Sequence, residues 1–143
     1  MNNKIFEPFF MQEHRINLRV RYAETDQMGV VYHGNYAQYF EIGRVEWLRN
    51  KGVSYKELEE EGIMLPVVSL SMNYKKPAVY DEELTVVTRL KYLGGVKIEF
   101  DYEIINERGE LLTTAHTVLV FVDMKTKRPT AVPEHLNQLI NKS

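Results

Sequence analysis

Residues 22–36 read YAETDQMGVVYHGNY. This run joins two segments of different periodicity, and the junction decides the fold. On its N-terminal side Ile16, Leu18, Val20 and Tyr22 share one parity, while Arg15, Asn17, Arg19 and Arg21 share the other. Strict alternation predicts a strand with one solvated face, and it places the Tyr22 ring on the inner side. On its C-terminal side Tyr36, Phe40, Gly43 and Trp47 recur at helical spacing, with Tyr39 and Leu48 beside them. Gln38, Glu41, Arg44 and Arg49 fall on the other faces. Asn35 stands at the capping-box separation from Gln38 and is expected as the N-cap. Gly43 on the apolar stripe gives up helix propensity but lets a neighbour approach closely. Gly52 is a natural stop. So wide an aromatic stripe predicts a helix wrapped by a sheet.

Working outward, Ser54 and Glu57 repeat the capping-box separation and open a short helix that ends at Gly62. Glu59, Glu60 and Glu61 read as its solvated face. Strand patterns follow over Val68–Tyr74, Leu84–Tyr92 and Val96–Ile104, with turns at Gly94-Gly95 and Asn106–Gly109. The last pattern, Leu111–Val122, is apolar on both parities at its end, which predicts a central place in the sheet. Glu134 to Ile140 predicts a terminal helical turn. The order is strand, long helix, short helix, then four strands. That is the α+β class, with one five-stranded antiparallel sheet and one dominant helix on a face. One helix cannot cover such a sheet, and an edge strand stays open, so a dimer is expected.

At 143 residues the chain is long enough for one domain with a real core. The expected division is an N-terminal extension, 1–13, and a single domain, 14–143. Phe6, Phe9, Phe10 and Met11 of the extension are expected to pack on the domain, and Glu7 and Pro8 break any leader-like apolar run. A formal net charge of −2 gives no field to draw nucleic acid or an anionic membrane. No apolar run approaches a membrane span, so a soluble cytoplasmic protein without stable membrane anchoring is expected. The absence of cysteine removes disulfides, thiolate metal sites and a cysteine nucleophile.

The sequence has no nucleophile elbow, phosphate-binding loop or dinucleotide fingerprint. Its histidines (14, 33, 116 and 135) are scattered, so neither a metal nor a cofactor is expected. His116 falls in a strand and reads as structural. Asp26 differs, because it precedes the Gly29 turn and lies near the start of a buried helix. Alone it could cap that turn through its own backbone. With Tyr22, His33 and the free N–H groups of a helix start nearby, it could instead serve as general base or nucleophile beside an oxyanion site.

The pattern Tyr22-x-x-x-Asp26-x-x-Gly29-Val30-Val31-Tyr32-His33-x-Asn35-Tyr36, then Phe40-Glu41 and Arg44-x-Glu46-Trp47-Leu48-Arg49, resembles the hot-dog-fold acyl-CoA thioesterases of the 4-hydroxybenzoyl-CoA thioesterase type. Asn73-Tyr74 and Lys76-Pro77-Ala78 also resemble that family, so the likeness runs from about Arg15 to Val122. The resemblance implies a five-stranded antiparallel sheet wrapped around one long helix. It also implies a homodimer or homotetramer with the site at the subunit interface.

Carried over by residue, it makes Asp26 the catalytic carboxylate, with Tyr22 and His33 assisting. Backbone N–H groups at the helix start would polarise the thioester carbonyl. Gly29, Val30, Asn35 and Tyr36 would line the substrate, and Lys75, Lys76, Arg89 and Lys91 are candidates for the CoA phosphates. The implied reaction is hydrolysis of an acyl-CoA to a carboxylic acid and CoA, with an acyl carrier protein thioester as an alternative donor. A hot-dog hydratase or dehydratase, and a non-catalytic acyl-binding module, are the competing readings.

Overall fold

The computed structural model describes residues 12–142. The expected N-terminal aromatic cluster therefore lies outside the described residues. Strand β1 (Glu13–Arg19) leads through two 3-10 turns, Tyr22–Glu24 and His33–Asn35, into α1 (Tyr36–Asn50). Then come α2 (Tyr55–Glu60), β2 (Ile63–Met64), β3 (Val67–Tyr74), β4 (Glu83–Gly94), β5 (Lys97–Ile105), β6 (Leu111–Val120), β7 (Val122–Asp123) and α3 (Glu134–Lys142). The main sheet runs β1-β4-β5-β6-β3, antiparallel throughout, and β2 pairs with β7 in a small ribbon. This is the α+β, hot-dog arrangement: five antiparallel strands curled around one long helix.

The core forms where α1 meets the inner face of the sheet. Phe40 packs against Tyr102 at 4.9 Å between ring centroids, and Trp47 meets Phe100 edge-on at 5.1 Å. Those four rings are essentially inaccessible to solvent. Trp47 Nε1 donates to the Gln12 carbonyl, which satisfies the one polar atom of a buried indole. Gly43 lets the helix approach the sheet closely. A Cβ there would lie 2.5 Å from Thr88 Oγ1 and 3.0 Å from Val86 Cγ1. The glycine on the apolar stripe is thus the contact that sets helix depth. Farther on, Gly52 takes φ +92° as α1 ends, and Ser54 Oγ accepts from the Glu57 N–H at 3.1 Å to start α2.

Several sequence expectations need correction. β1 ends at Arg19, and the chain turns before Tyr22, so strand parity does not extend to that residue. Tyr22 is 78% exposed rather than inward. Asn35 stands at the N-cap position with helical φ and ψ, and its side chain makes no cap bond. It reaches back instead, Nδ2 donating to the Glu24 carbonyl at 2.9 Å. The central strand is β5, while β6 lies between β5 and the β3 edge. The both-parity apolar end of β6 is buried on the helix side at Leu119 and only partly on the outer side at Val118 and Val120. Arg44 is buried, although helical periodicity put it on a polar face. The terminal turn grows into α3, which seats Leu136 and Ile140 in the core.

Substituting Gly43→Ala tests the close approach. Alanine should gain about 1 kcal/mol of helix propensity. Overpacking against the buried Thr88 and Val86 should cost about 2–3 kcal/mol. A net loss of about 1–2 kcal/mol is expected in urea unfolding, and a neutral or stabilised variant would show that the sheet yields freely at that point.

Candidate active site

The loop between β1 and α1 is built around Glu24. Its carboxylate is buried and takes three donors: the Arg21 N–H at 2.9 Å, Arg21 Nε at 2.8 Å and the Tyr39 hydroxyl at 2.8 Å. Its carbonyl takes two more, the Tyr32 N–H at 3.0 Å and Asn35 Nδ2 at 2.9 Å. Burial works against the carboxylate charge, but the bonds from the Arg21 N–H, the Tyr39 hydroxyl and the Arg21 guanidinium outweigh it. They hold Glu24 below its ordinary value. Burial and then the Glu24 carboxylate push the Tyr39 hydroxyl the other way, so it stays a donor. Glu24 thereby ties a tight turn to the first turn of the helix.

Beyond it the chain makes a narrow excursion and returns. Thr25 and Val31 face each other in an isolated antiparallel bridge, with the turn Asp26–Gly29 between them. Gly29 takes φ +80°, a conformation that favours glycine. Asp26 Oδ1 accepts from the Met28 N–H at 2.8 Å and the Val30 N–H at 3.4 Å. Among the described residues its other oxygen has no partner, and the side chain is exposed. Asp26 therefore does cap its turn, and it does so with one oxygen while the second faces solvent. A second loop braces the excursion from behind: the Val31 N–H donates to Ala78 O at 2.8 Å and the Tyr80 N–H to Gly29 O at 3.1 Å. The buried Tyr36 hydroxyl accepts from the Ala78 N–H at 3.3 Å.

At the helix start the Asn35 N–H bonds the Tyr32 carbonyl and the Tyr36 N–H bonds the His33 carbonyl. The N–H groups of His33 and Gly34 carry no hydrogen bond among the described residues, and both residues are exposed. Two consecutive free donors at a helix N-terminus form a place for a developing negative charge. The His33 ring lies 4.6 Å from the Tyr32 ring and 6.1 Å from that of Tyr74. Tyr74 also donates its hydroxyl to the His33 carbonyl at 3.2 Å. Tyr22 sits apart from this cluster, edge-on to Tyr80 at 5.7 Å.

The structure therefore groups Asp26, Gly29, Val30, His33, Asn35 and Tyr36 in one braced loop and helix start, with Tyr22 at its outer edge. The four proposed cations divide. Lys75 follows directly on Tyr74 and is exposed, and Lys76 pairs with Glu110 at 3.0 Å. Arg89 and Lys91 project from the sheet face away from the helix. There Arg89 meets Glu13 at 2.9 Å and Glu103 at 3.5 Å, and Lys91 meets Asp101 at 3.9 Å. His116 belongs to the same outer face, with its ring nitrogens 2.7 Å from Asp101 and 2.9 Å from Glu99. Sequence reasoning missed Glu24 and Tyr80. The spacing of Arg21 and Glu24 is a local signal for a turn, but the long-range partner Tyr39 leaves none.

Three comparisons bear on this arrangement. Residues 20–140 match the family model of the thioesterase-like superfamily. YneP of Bacillus subtilis is 40% identical over 112 residues, 78% of this chain and 81% of its own. The acyl-CoA thioester hydrolase YbgC of Escherichia coli O157:H7 is 33% identical over 83% of this chain and 89% of its own. Among solved structures, a DHNA-CoA thioesterase from Staphylococcus aureus superposes with a TM-score of 0.87 at 38% identity, over 91% of this chain and 89% of that one.

Replacing Glu24 by glutamine should cost about 1–3 kcal/mol at neutral pH, because a charged acceptor of three donors is lost. The sign with pH follows from the lowered value. The Glu24 contribution is full above its ordinary 4.5 and disappears as pH falls below that through its folded value. The stability gap between wild type and Glu24→Gln, read by urea unfolding, should narrow as pH drops below 4.5. A gap of constant size would show that the clasp does not act through the carboxylate charge.

Proposed function

The chain belongs to the thioesterase-like superfamily, and from that membership we propose that it hydrolyses acyl-CoA thioesters with Asp26 as the catalytic carboxylate. The observation that carries this reading is the state of Asp26. One carboxylate oxygen is fixed by two backbone N–H groups and the other is open, on a loop that feeds into the free N–H groups of His33 and Gly34. Those donors would polarise the thioester carbonyl and stabilise the oxyanion as the carbonyl carbon becomes tetrahedral. As general base, Asp26 takes a proton from the attacking water; the C–S bond then breaks and the CoA thiolate is protonated. As nucleophile it forms an acyl anhydride that water opens in a second step. His33, tilted against Tyr32 and edge-on to Tyr74, orients the thioester, and Tyr22 guards the outer edge.

Lys75 and Lys76, immediately after the strand that carries Tyr74, lie on the near side for the CoA phosphates. Arg89 and Lys91 are engaged with carboxylates on the far face. An acyl carrier protein thioester offers the same carbonyl, so the donor is CoA or a carrier-bound pantetheine. The edge strand β3 supports a second copy of the chain completing the site. Val67, Val68, Leu70 and Tyr74 are all exposed, and among the described residues β3 pairs on one side only. An open apolar edge of that kind favours strand-to-strand pairing. No helix among the described residues is long and apolar enough to cross a membrane. A cytoplasmic site of action, where CoA thioesters are the substrate, belongs to the same proposal.

Thiol release from a panel of short, long and aromatic acyl-CoAs should fall by about a hundredfold or more in kcat for Asp26→Asn. Equal rates for the two proteins would remove Asp26 from the mechanism. Hydration of an enoyl-CoA without thioester cleavage would move the chain to the hydratase reading. Light scattering after size exclusion should give the mass of two or four protomers, and a fully active monomer would overturn the shared site.

A further inference from the structure

Arg44 has no part in the proposed hydrolysis, yet it is one of the few charged residues in the interior. It is 8% exposed. Its Nε donates to the Tyr55 hydroxyl at 3.2 Å, and the Tyr102 hydroxyl lies beside it. Burial pushes both phenols up, so they remain neutral and cannot balance the guanidinium charge. Among the described residues Arg44 forms no ion pair. A buried, uncompensated charge is costly unless something completes it.

Arg44 lines an apolar groove of about 220 Å³ between the first half of α1 and the β3 edge. Ala37 and Phe40 form one wall, Val67 and Leu70 the other, and Thr117 lies at the base. Glu41 is at the rim, exposed to solvent and not paired with Arg44. Long helical side chains lean toward the helix N-terminus. The contact with Tyr102, whose ring packs on Phe40, puts the Arg44 head near the level of Phe40. From the His33 N–H to that level the helix rises roughly 10 Å.

We infer that Arg44 is a specificity-determining residue that receives an oxygen at the far end of the acyl group. The inference rests on the thioesterase reading. The acyl group runs down the groove from the helix start, and its terminal oxygen meets the planar guanidinium fork. A carboxylate suits that fork best because it can accept two parallel hydrogen bonds, and a phenol hydroxyl offers a single contact. A methyl-ended chain of the same length would leave the charge buried and unanswered.

Two matched pairs test this: suberoyl-CoA against octanoyl-CoA, and 4-hydroxycinnamoyl-CoA against cinnamoyl-CoA. Wild type should favour at least one oxygen-ended member by about tenfold or more in kcat/KM. The pair that shows the preference identifies the oxygen as carboxylate or phenol. Arg44→Met should erase that preference, mainly by raising KM for the oxygen-ended member of the pair. Arg44→Lys should recover part of the preference, and thermal unfolding of both variants checks that they are folded. A wild type that cleaves both members of each pair equally overturns the inference by itself, even if Arg44→Met does not fold. A folded Arg44→Met that keeps the wild-type ratio overturns it too. If wild type cleaves none of the four but cleaves other acyl-CoAs of the panel, the inference alone is overturned; if it cleaves no acyl-CoA, the thioesterase reading fails and takes the inference with it.

Discussion

The buried carboxylate of Glu24 is the interaction on which the candidate site depends. Loops that carry chemistry must be held in place by something stiffer than themselves. Here one residue does this twice, through its side chain and its carbonyl. The carboxylate joins the Arg21 turn to Tyr39 on α1, and the carbonyl takes Tyr32 and Asn35 from the far end of the same loop. The segment between is left with few ways to move. Its narrow turn, opened by Gly29, then fixes one oxygen of Asp26 and leaves the other free.

That clasp has meaning only if α1 itself is immobile, and the sheet provides this. Phe40, Trp47, Phe100 and Tyr102 interlock without a solvent-accessible gap, and Gly43 lets the helix settle against Thr88 and Val86. The depth so set has two consequences. It lifts the helix start to the surface, where the His33 and Gly34 N–H groups stay open. It also draws Arg44 into the interior beside Tyr55 and Tyr102. One packing contact therefore sets both the helix start and Arg44 relative to the sheet.

Charge on the outer face of the sheet serves a different purpose. Arg89, Glu13 and Glu103, with His116 between Asp101 and Glu99, link neighbouring strands across the face turned away from α1. Partly exposed pairs of this kind contribute little individually to stability. They keep that face polar, whereas the β3 edge is apolar and, among the described residues, unpaired on one side.

The sequence by itself determined the element order, the wrapped helix and the position of Asp26 before a glycine turn, because each is written in local periodicity or turn chemistry. Gly43 was legible for the same reason, as a glycine on an apolar stripe. What it misread lay where chain direction changes or where partners are distant. Tyr22 followed the strand pattern in sequence, but the strand had already ended. Asn35 had the spacing of a cap, yet a carbonyl eleven residues back competed for its amide. Glu24, Arg44 and Lys91 are ordinary polar residues in sequence. Only the tertiary structure decided that the first is a clasp, the second is buried in a groove and the third faces away from the site. Burial and long-range hydrogen bonds depend on which elements meet, and periodicity along the chain carries no information about that.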